Sequence, residues 1–425
     1  MASVAPEGPQ GFTIPMAGGH RGAVSGHFAP ATGPLPTGKG PGARTRRQRL
    51  AVWWQEIDRF ALYIVLILMG IGAVAVAAGS PASARRLSTS AERLPDLYFF
   101  FLHMRWQLVG IVALLWASSL DKDAARRFGI LIAGIMFAAL FLVPVVGSEV
   151  NGAKRWLRLG FSLQPSEFLK VGWPILLAWI LSWRARDPNI PVVGICAALM
   201  VVLGGLLMLQ PDFGSTMLFS GSFAVMVLLS GFDWRRLVAL GVVGVVGLVI
   251  MYFTYDNGRN RIDNFLFGGT AFDQVDLAER TFLNGGWTGQ GFWMGVRKMS
   301  LPEAHTDYIF SVIGEEFGLL ACMVIVALYI AFLVRVLMRT IDEEDLFSVL
   351  AAAGIAAQFG GQAFINILVN LQLFPSKGMT LPLISYGGSS TIALCLTMGL
   401  LLAITRRNPF IQRERFTLRT NGELS

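Results

Sequence analysis

The side chains best placed for chemistry cluster at Leu301-Pro302-Glu303-Ala304-His305-Thr306-Asp307-Tyr308, where a long polar link meets an apolar run. A carboxylate at such a border keeps access to water while reaching a group carried in lipid. Asp307 can accept a proton there, and His305, with an ordinary pKa nearer neutrality, is the competing base. Capping of the following helix is the alternative role for Asp307. A second cluster is Gln164-Pro165-Ser166-Glu167, with Lys170 three residues beyond Glu167 on the same helical face. That pair reads either as a structural ion pair or as a site for substrate or cation, beside Lys154, Arg155 and Arg158. A third is Gln210-Pro211-Asp212-Phe213-Gly214-Ser215, where proline and glycine imply a break and Asp212 either caps the next helix or meets substrate. The fourth runs from Lys377 through Ser385 and the glycine pair Gly387-Gly388 to Ser390. Its backbone and hydroxyls suit an oxyanion or a re-entrant turn, but it lacks the Walker spacing that nucleotide binding requires.

The elements around these clusters are hydrophobic. The chain is 54% hydrophobic and only 15% charged, whereas a soluble domain carries about 25% charge. Apolar runs at about 61–79, 98–118, 128–146, 168–183, 192–209, 216–231, 237–254, 308–334, 346–369 and 390–405 are candidates to cross a hydrocarbon core. The expected fold is therefore an all-α polytopic membrane protein of about ten transmembrane helices. Residues 1–50 read as a disordered cytoplasmic tail, 51–410 as the membrane domain with a large extracytoplasmic loop at 255–307, and 411–425 as a cytoplasmic tail. No apolar run directly follows Met1, so the start does not read as a signal peptide.

Parity of the basic clusters orients the chain. Lys122, Arg126 and Arg127, then Arg184 and Arg186, Arg235 and Arg236, Arg335 and Arg339, and Arg406 and Arg407 all fall on one side when both termini are cytoplasmic. This spread accounts for the net charge of +8 without nucleic acid. The opposite side keeps Lys154, Arg155, Arg158 and Lys170, which suits an anionic substrate. Cys196, Cys322 and Cys395 lie in apolar runs and supply neither disulfide framework nor metal spacing. Polar residues at membrane depth need interior partners. Gln358, Gln362, Asn366 and Asn370 recur every fourth residue and form one slowly winding stripe, which either joins helices or lines a wet cavity. Glu315 and Glu316 are adjacent, so at least one must find an interior partner or be neutral.

These motifs in this order resemble the SEDS family of bacterial shape, elongation, division and sporulation proteins. The matching pieces are Asn151-Gly152-Ala153-Lys154-Arg155-Trp156, Gln164 to Glu167, Gln210 to Ser215, Leu301 to Gly318, and Lys377 to Ser390, whose first six residues favour the division branch. The resemblance covers about 50–410. It implies a peptidoglycan glycosyltransferase of the inner membrane that polymerises lipid II at the septum, with a class B penicillin-binding protein, the division transpeptidase, and other divisome membrane proteins as partners. The family's essential acidic residue matches Asp307, and its glutamate and lysine match Glu167 and Lys170. The chemistry needs a base for the acceptor hydroxyl, for which Asp307 is the candidate. It also needs charge to meet the leaving diphosphate, from Lys154, Arg155, Lys170 and Lys377. Asp212, His305 and Ser385 are further substrate contacts. A divalent cation, magnesium or manganese, held partly by Glu167 is compatible with this chemistry, and no nucleotide or organic cofactor is needed. A lipid II flippase and a non-catalytic divisome scaffold are the rival readings.

Overall fold

The computed structural model describes residues 46–89, 93–150, 153–158, 162–231, 274–375 and 378–407, with scattered positions between 235 and 263. Its helices are α1 (Arg46–Glu56), α2 (Arg59–Leu87), α3 (Tyr98–Ser118), α4 (Lys122–Val146), α5 (Pro165–Ser182), α6 (Val192–Leu209), α7 (Phe213–Leu229), α8 (Gln274–Asn284), α9 (Ile309–Thr340), α10 (Leu346–Asn370) and α11 (Gly388–Ile404). Carboxylate caps set three of the starts, one of them Asp212 at α7. Asp58 accepts from the Phe60 and Ala61 amides at α2, and Asp345 from those of Phe347 and Ser348 at α10. The chain is thus largely helical, as expected. One departure is the 147–167 link, where β1 (Ser148–Val150), β2 (Ala153–Arg158) and β3 (Ser162–Leu163) form a small antiparallel sheet in the order β1-β2-β3. A second is α1, which makes the end of the expected tail helical; residues 1–45 and 411–425 lie outside the described residues.

Among the described residues, α2, α3, α4, α6, α9 and α10 are long and apolar enough to cross a membrane, and α7 and α11 are shorter apolar helices. The fold is an all-α polytopic one with six such helices among the described residues, where the sequence suggests about ten spans. The reasons are local. The run at 237–254 lies mainly outside the described residues. α5 is less apolar because it carries Glu167, Lys170 and two prolines, yet most of it is buried. A helix enclosed by other helices need not match lipid. It packs on α4, α6, α7, α10 and α11. Gly172 allows this, since a Cβ there would stand 2.1 Å from the Gly129 carbonyl oxygen of α4.

α9 is two helices joined at Gly318, whose φ of 81° and ψ of 178° interrupt the helix. The part before Gly318 therefore belongs to the loop end of the bundle, and the continuous run begins about ten residues later than the apolar pattern suggests. At the other end, Asp58 pairs with Arg335 at 2.8 Å and Arg339 at 2.9 Å, Glu56 with Arg406 at 2.8 Å, and Lys122 with Glu343 at 3.3 Å. These pairs gather the starts of α2 and α4 with the ends of α9 and α11. The three cysteines are free and buried.

Candidate active site

The end opposite that basic network holds the candidate site. Two loops and the first turn of α5 meet there around α10. Lys170 Nζ donates to Glu167 Oε1 at 2.7 Å and to Gln362 Oε1 at 3.0 Å. Gln362 Nε2 donates in turn to the Thr380 carbonyl at 2.9 Å. One turn along α10, Asn366 Nδ2 reaches the carbonyls of Met379 at 2.6 Å and Asp307 at 2.8 Å. Asn370 Nδ2 donates to the same Asp307 carbonyl at 3.0 Å, while its Oδ1 accepts from the Ser311 amide and hydroxyl. The polar stripe of α10 thus links Glu167 and Lys170 to both loops and fixes the main chain at Asp307.

Asp307 is partly exposed, and its Oδ2 stands 3.4 Å from where a Cβ on Gly378 would lie. The N-cap position of α9 is Tyr308, with no side-chain capping bond. His305 is enclosed. Its ring lies 4.1 Å from Phe99 and 5.2 Å from Tyr386, centroid to centroid, and Nδ1 is 2.6 Å from the Ser83 hydroxyl. Burial pushes its imidazole down to about 4, with neighbouring His103 adding to the effect, so it is neutral near pH 7 and weakly basic. Ser385 ties the two loops, donating to the Thr306 carbonyl at 2.6 Å and accepting from the Leu381 amide at 2.8 Å.

The remaining sequence candidates sit elsewhere in the network. Asp212 is buried and caps α7, taking the Ser215 amide at 3.2 Å and the Ser215 hydroxyl at 2.8 Å. Arg155 donates to the carbonyls of Gln210 and Pro211, holding β2 against the turn before α7. Lys154 is exposed on β2, and Lys377 lies outside the described residues.

Glu315 and Glu316 are both buried, and both find partners. Glu315 accepts from Asn284 and from the amides of Arg297 and Lys298; Glu316 accepts from the Lys298 ammonium and the amides of Trp293 and Gly295. The sequence signals the glutamates by their depth, but nothing in it marks Lys298 as their buried partner.

Among the described residues, six side chains retain buried polar atoms without a hydrogen-bond partner, and three of them lie on α5 and α10: Glu167 Oε2, Trp173 Nε1 and both ends of the Gln358 amide. Among the described residues, no group of three or more His, Cys, Asp or Glu side chains is arranged to hold a metal. Glu167 Oε2 offers a carboxylate oxygen beside Lys170, which suits a magnesium-type ion taking its other ligands from phosphate and water.

A family profile for cell cycle proteins of the FtsW, RodA and SpoVE type matches residues 58–409. The chain is 36% identical over 370 residues to the probable peptidoglycan glycosyltransferase FtsW of Caulobacter vibrioides (strain NA1000 / CB15N), covering 86% of this chain and 94% of that one. It is 34% identical over 379 residues to the corresponding protein of Aromatoleum aromaticum (strain DSM 19018 / LMG 30748 / EbN1), covering 84% and 90%. Among solved structures it resembles a chain of a peptidoglycan synthase complex that coordinates polymerization and crosslinking, with a TM-score of 0.69, 27% identity and coverage of 82% and 97%. It also resembles the rod shape determining protein RodA of Thermus thermophilus, with a TM-score of 0.61, 27% identity and coverage of 83% and 97%. A match across most of the chain, with its motifs gathered at one end of a matching fold, makes it a member of the FtsW/RodA/SpoVE family of cell cycle proteins, the SEDS family.

Proposed function

We propose that this peptidoglycan glycosyltransferase polymerises lipid II at the division septum, with Asp307 as the base and Lys170 facing the donor's diphosphate. The acceptor's 4-hydroxyl oxygen attacks the donor's anomeric carbon as the bond from that carbon to the diphosphate oxygen breaks. The hydroxyl proton passes to Asp307, and polyprenyl diphosphate departs. One displacement inverts the anomeric centre and needs no glycosyl-enzyme. The observation that carries this reading is the line from Glu167 and Lys170 through Gln362 to Thr380, and from adjoining Met379 through Asn366 to the Asp307 carbonyl. It holds a cation-bearing helix end and a carboxylate-bearing loop in one frame, the arrangement an activated donor and a hydroxyl acceptor require. His305 is the weaker base, being buried and already engaged with Ser83. A divalent cation would bind at Glu167 Oε2 and add neutralisation of the leaving diphosphate.

The full fold in this reading has ten spans, both termini in the cytoplasm and the Asp307 end outside, supported by the basic residues paired at the opposite end. The partner is a class B penicillin-binding protein, supported by the likeness to a synthase complex that combines polymerization with crosslinking. The test is purified protein with its transpeptidase, given labelled lipid II. Asp307→Asn should fold, bind the transpeptidase and lose polymerisation by about 10²-fold or more. Near-wild-type polymer from that variant would remove Asp307 as the base.

A further inference from the structure

The link between α8 and α9 carries a run of large apolar side chains that are exposed among the described residues. Trp287 is 67% exposed, Met294 71% and Val296 75%, and Phe292 and Trp293 are about half exposed. In water, so many within ten residues would form a costly patch. The segment is nonetheless held firmly. The Leu319 and Leu320 amides donate to the carbonyls of Gly286 and Trp287, and the Gln290 and Gly291 amides to those of Glu315 and Glu316.

Two helices measure the depth of this segment independently. Trp293 Nε1 donates to the Ala77 carbonyl of α2. Ala77 lies roughly 27 Å along α2 from Arg59 at 1.5 Å per residue. Leu320, bonded to the segment on α9, lies roughly 29 Å from Arg339 by the same measure. Arg339 pairs with Asp58, the residue that caps α2, so both distances start from the same end of the bundle. Each matches a hydrocarbon core about 30 Å thick. The segment therefore sits at the far boundary of that core, beside the exposed apolar residues Leu320, Met323 and Val324 of α9.

From there the chain climbs α2 in register. Lys298 Nζ donates to the Ala78 carbonyl, the Ala304 carbonyl oxygen lies 3.3 Å from where a Cβ on Gly79 would be, and His305 meets Ser83. Ala77 to Ser83 is roughly 9 Å of helix, which carries residues 305–307 out of the hydrocarbon into the headgroup layer.

We propose that residues 287–296 insert into the leaflet on the Asp307 side, with lipid acyl chains as their occupant, and that this insertion sets the height of Asp307. The choice of lipid over protein rests on the match in depth, the continuity with the lipid-facing side of α9, and the tryptophans with exposed Arg297 beside them, the composition of a membrane-interface belt. The lipid contact stands whichever residue is the base; only its consequence for polymerisation rests on Asp307.

The test uses the full chain in lipid nanodiscs, with a fluorophore on Met294→Cys and, for comparison, on Ser300→Cys, which is exposed beyond the segment; the native cysteines are buried. Lipids carrying a nitroxide near the headgroup should quench the Met294 probe several-fold more than the Ser300 probe, and aqueous iodide should show the reverse order. Equal iodide quenching at both positions would overturn the insertion. So would shielding from iodide that appears only when the transpeptidase is added, which would assign the surface to a protein partner. The variant Met294→Glu/Val296→Glu should lower polymerisation about tenfold through misplacement of the site. Insertion seen by quenching, together with unchanged polymerisation in that variant, would overturn the depth-setting role.

Discussion

Lys170 and Glu167 pose a question that single substitutions cannot answer, because the pair is both buried and at the site. Their side chains are 7% and 14% exposed, 2.7 Å apart, with Glu167 Oε2 lacking any hydrogen-bond partner. Removing one member of a buried pair strands the other charge and costs about 3–5 kcal/mol. Lys170→Met alone and Glu167→Gln alone should therefore both lower thermal stability in nanodiscs, and both should lower activity for that reason alone. The double variant strands no charge. It loses one bond to Gln362, worth about 1 kcal/mol, so most of the stability should return. Activity then separates the roles. If Lys170 meets the diphosphate, the refolded double variant still polymerises about 10²-fold more slowly, as when an oxyanion donor is removed. A double variant that is stable and polymerises lipid II like the parent would refute a substrate role for Lys170. Single variants as stable as the parent would refute the buried-pair reasoning itself.

The other predictions follow from individual contacts. His305 binds a proton less readily in the fold than in the unfolded chain, where its pKa is near 6.5. Stability should therefore be full above pH 6.5 and fall as pH drops toward 4, by up to about 3 kcal/mol; His305→Gln should abolish that slope in melting curves taken across this range. Asn366→Leu removes the donor to the Met379 carbonyl and one of two to Asp307. It should cost about 1–3 kcal/mol and roughly tenfold in polymerisation, and unchanged turnover would separate the α10 stripe from the chemistry. Ser300→Cys, on the Asp307 side of the bundle, should react with an impermeant maleimide in intact spheroplasts; labelling only after the membrane is opened would reverse the orientation.

Much of the fold was legible because apolar runs and polar breaks leave strong marks. The helices at 98–118 and 192–209 lie where the pattern puts them, and the four-residue spacing of Gln358 to Asn370 announces one buried polar face. The sequence did not show what that face meets. Whether Asn366 joins helices or lines a cavity depends on which loop returns over it, and loops 301–308 and 378–386 are brought there by tertiary contacts. The apolar run beginning near 308 also hid the break at Gly318, since a glycine inside a hydrophobic stretch is compatible with a continuous helix. Asp212 shows the converse. A carboxylate between proline and glycine reads as cap or ligand, and both oxygens meet Ser215 in the fold. The small sheet at 148–163 left no mark in the pattern because β1 and β3 have only three and two residues and β2, Ala153-Lys154-Arg155-Trp156-Leu157-Arg158, does not alternate cleanly.

The division of labour between charged and neutral polar groups follows from membrane physics. An ionised side chain inside a bundle must be paired or neutralised, whereas an amide can be satisfied by main-chain carbonyls without changing the local charge. Gln362, Asn366 and Asn370 use their amide nitrogens in this way, on Thr380, Met379 and Asp307. They fix loop positions while adding no ion to the field that a base or a leaving diphosphate would feel. The charges stay at the helix end and in the clamp of Glu315, Glu316 and Lys298, where each carboxylate takes several donors. Asn366 and Asn370 both bond to the Asp307 carbonyl, so their anchoring falls on its main chain. In the proposed mechanism, that main-chain anchoring keeps the Asp307 base at a fixed position relative to Lys170.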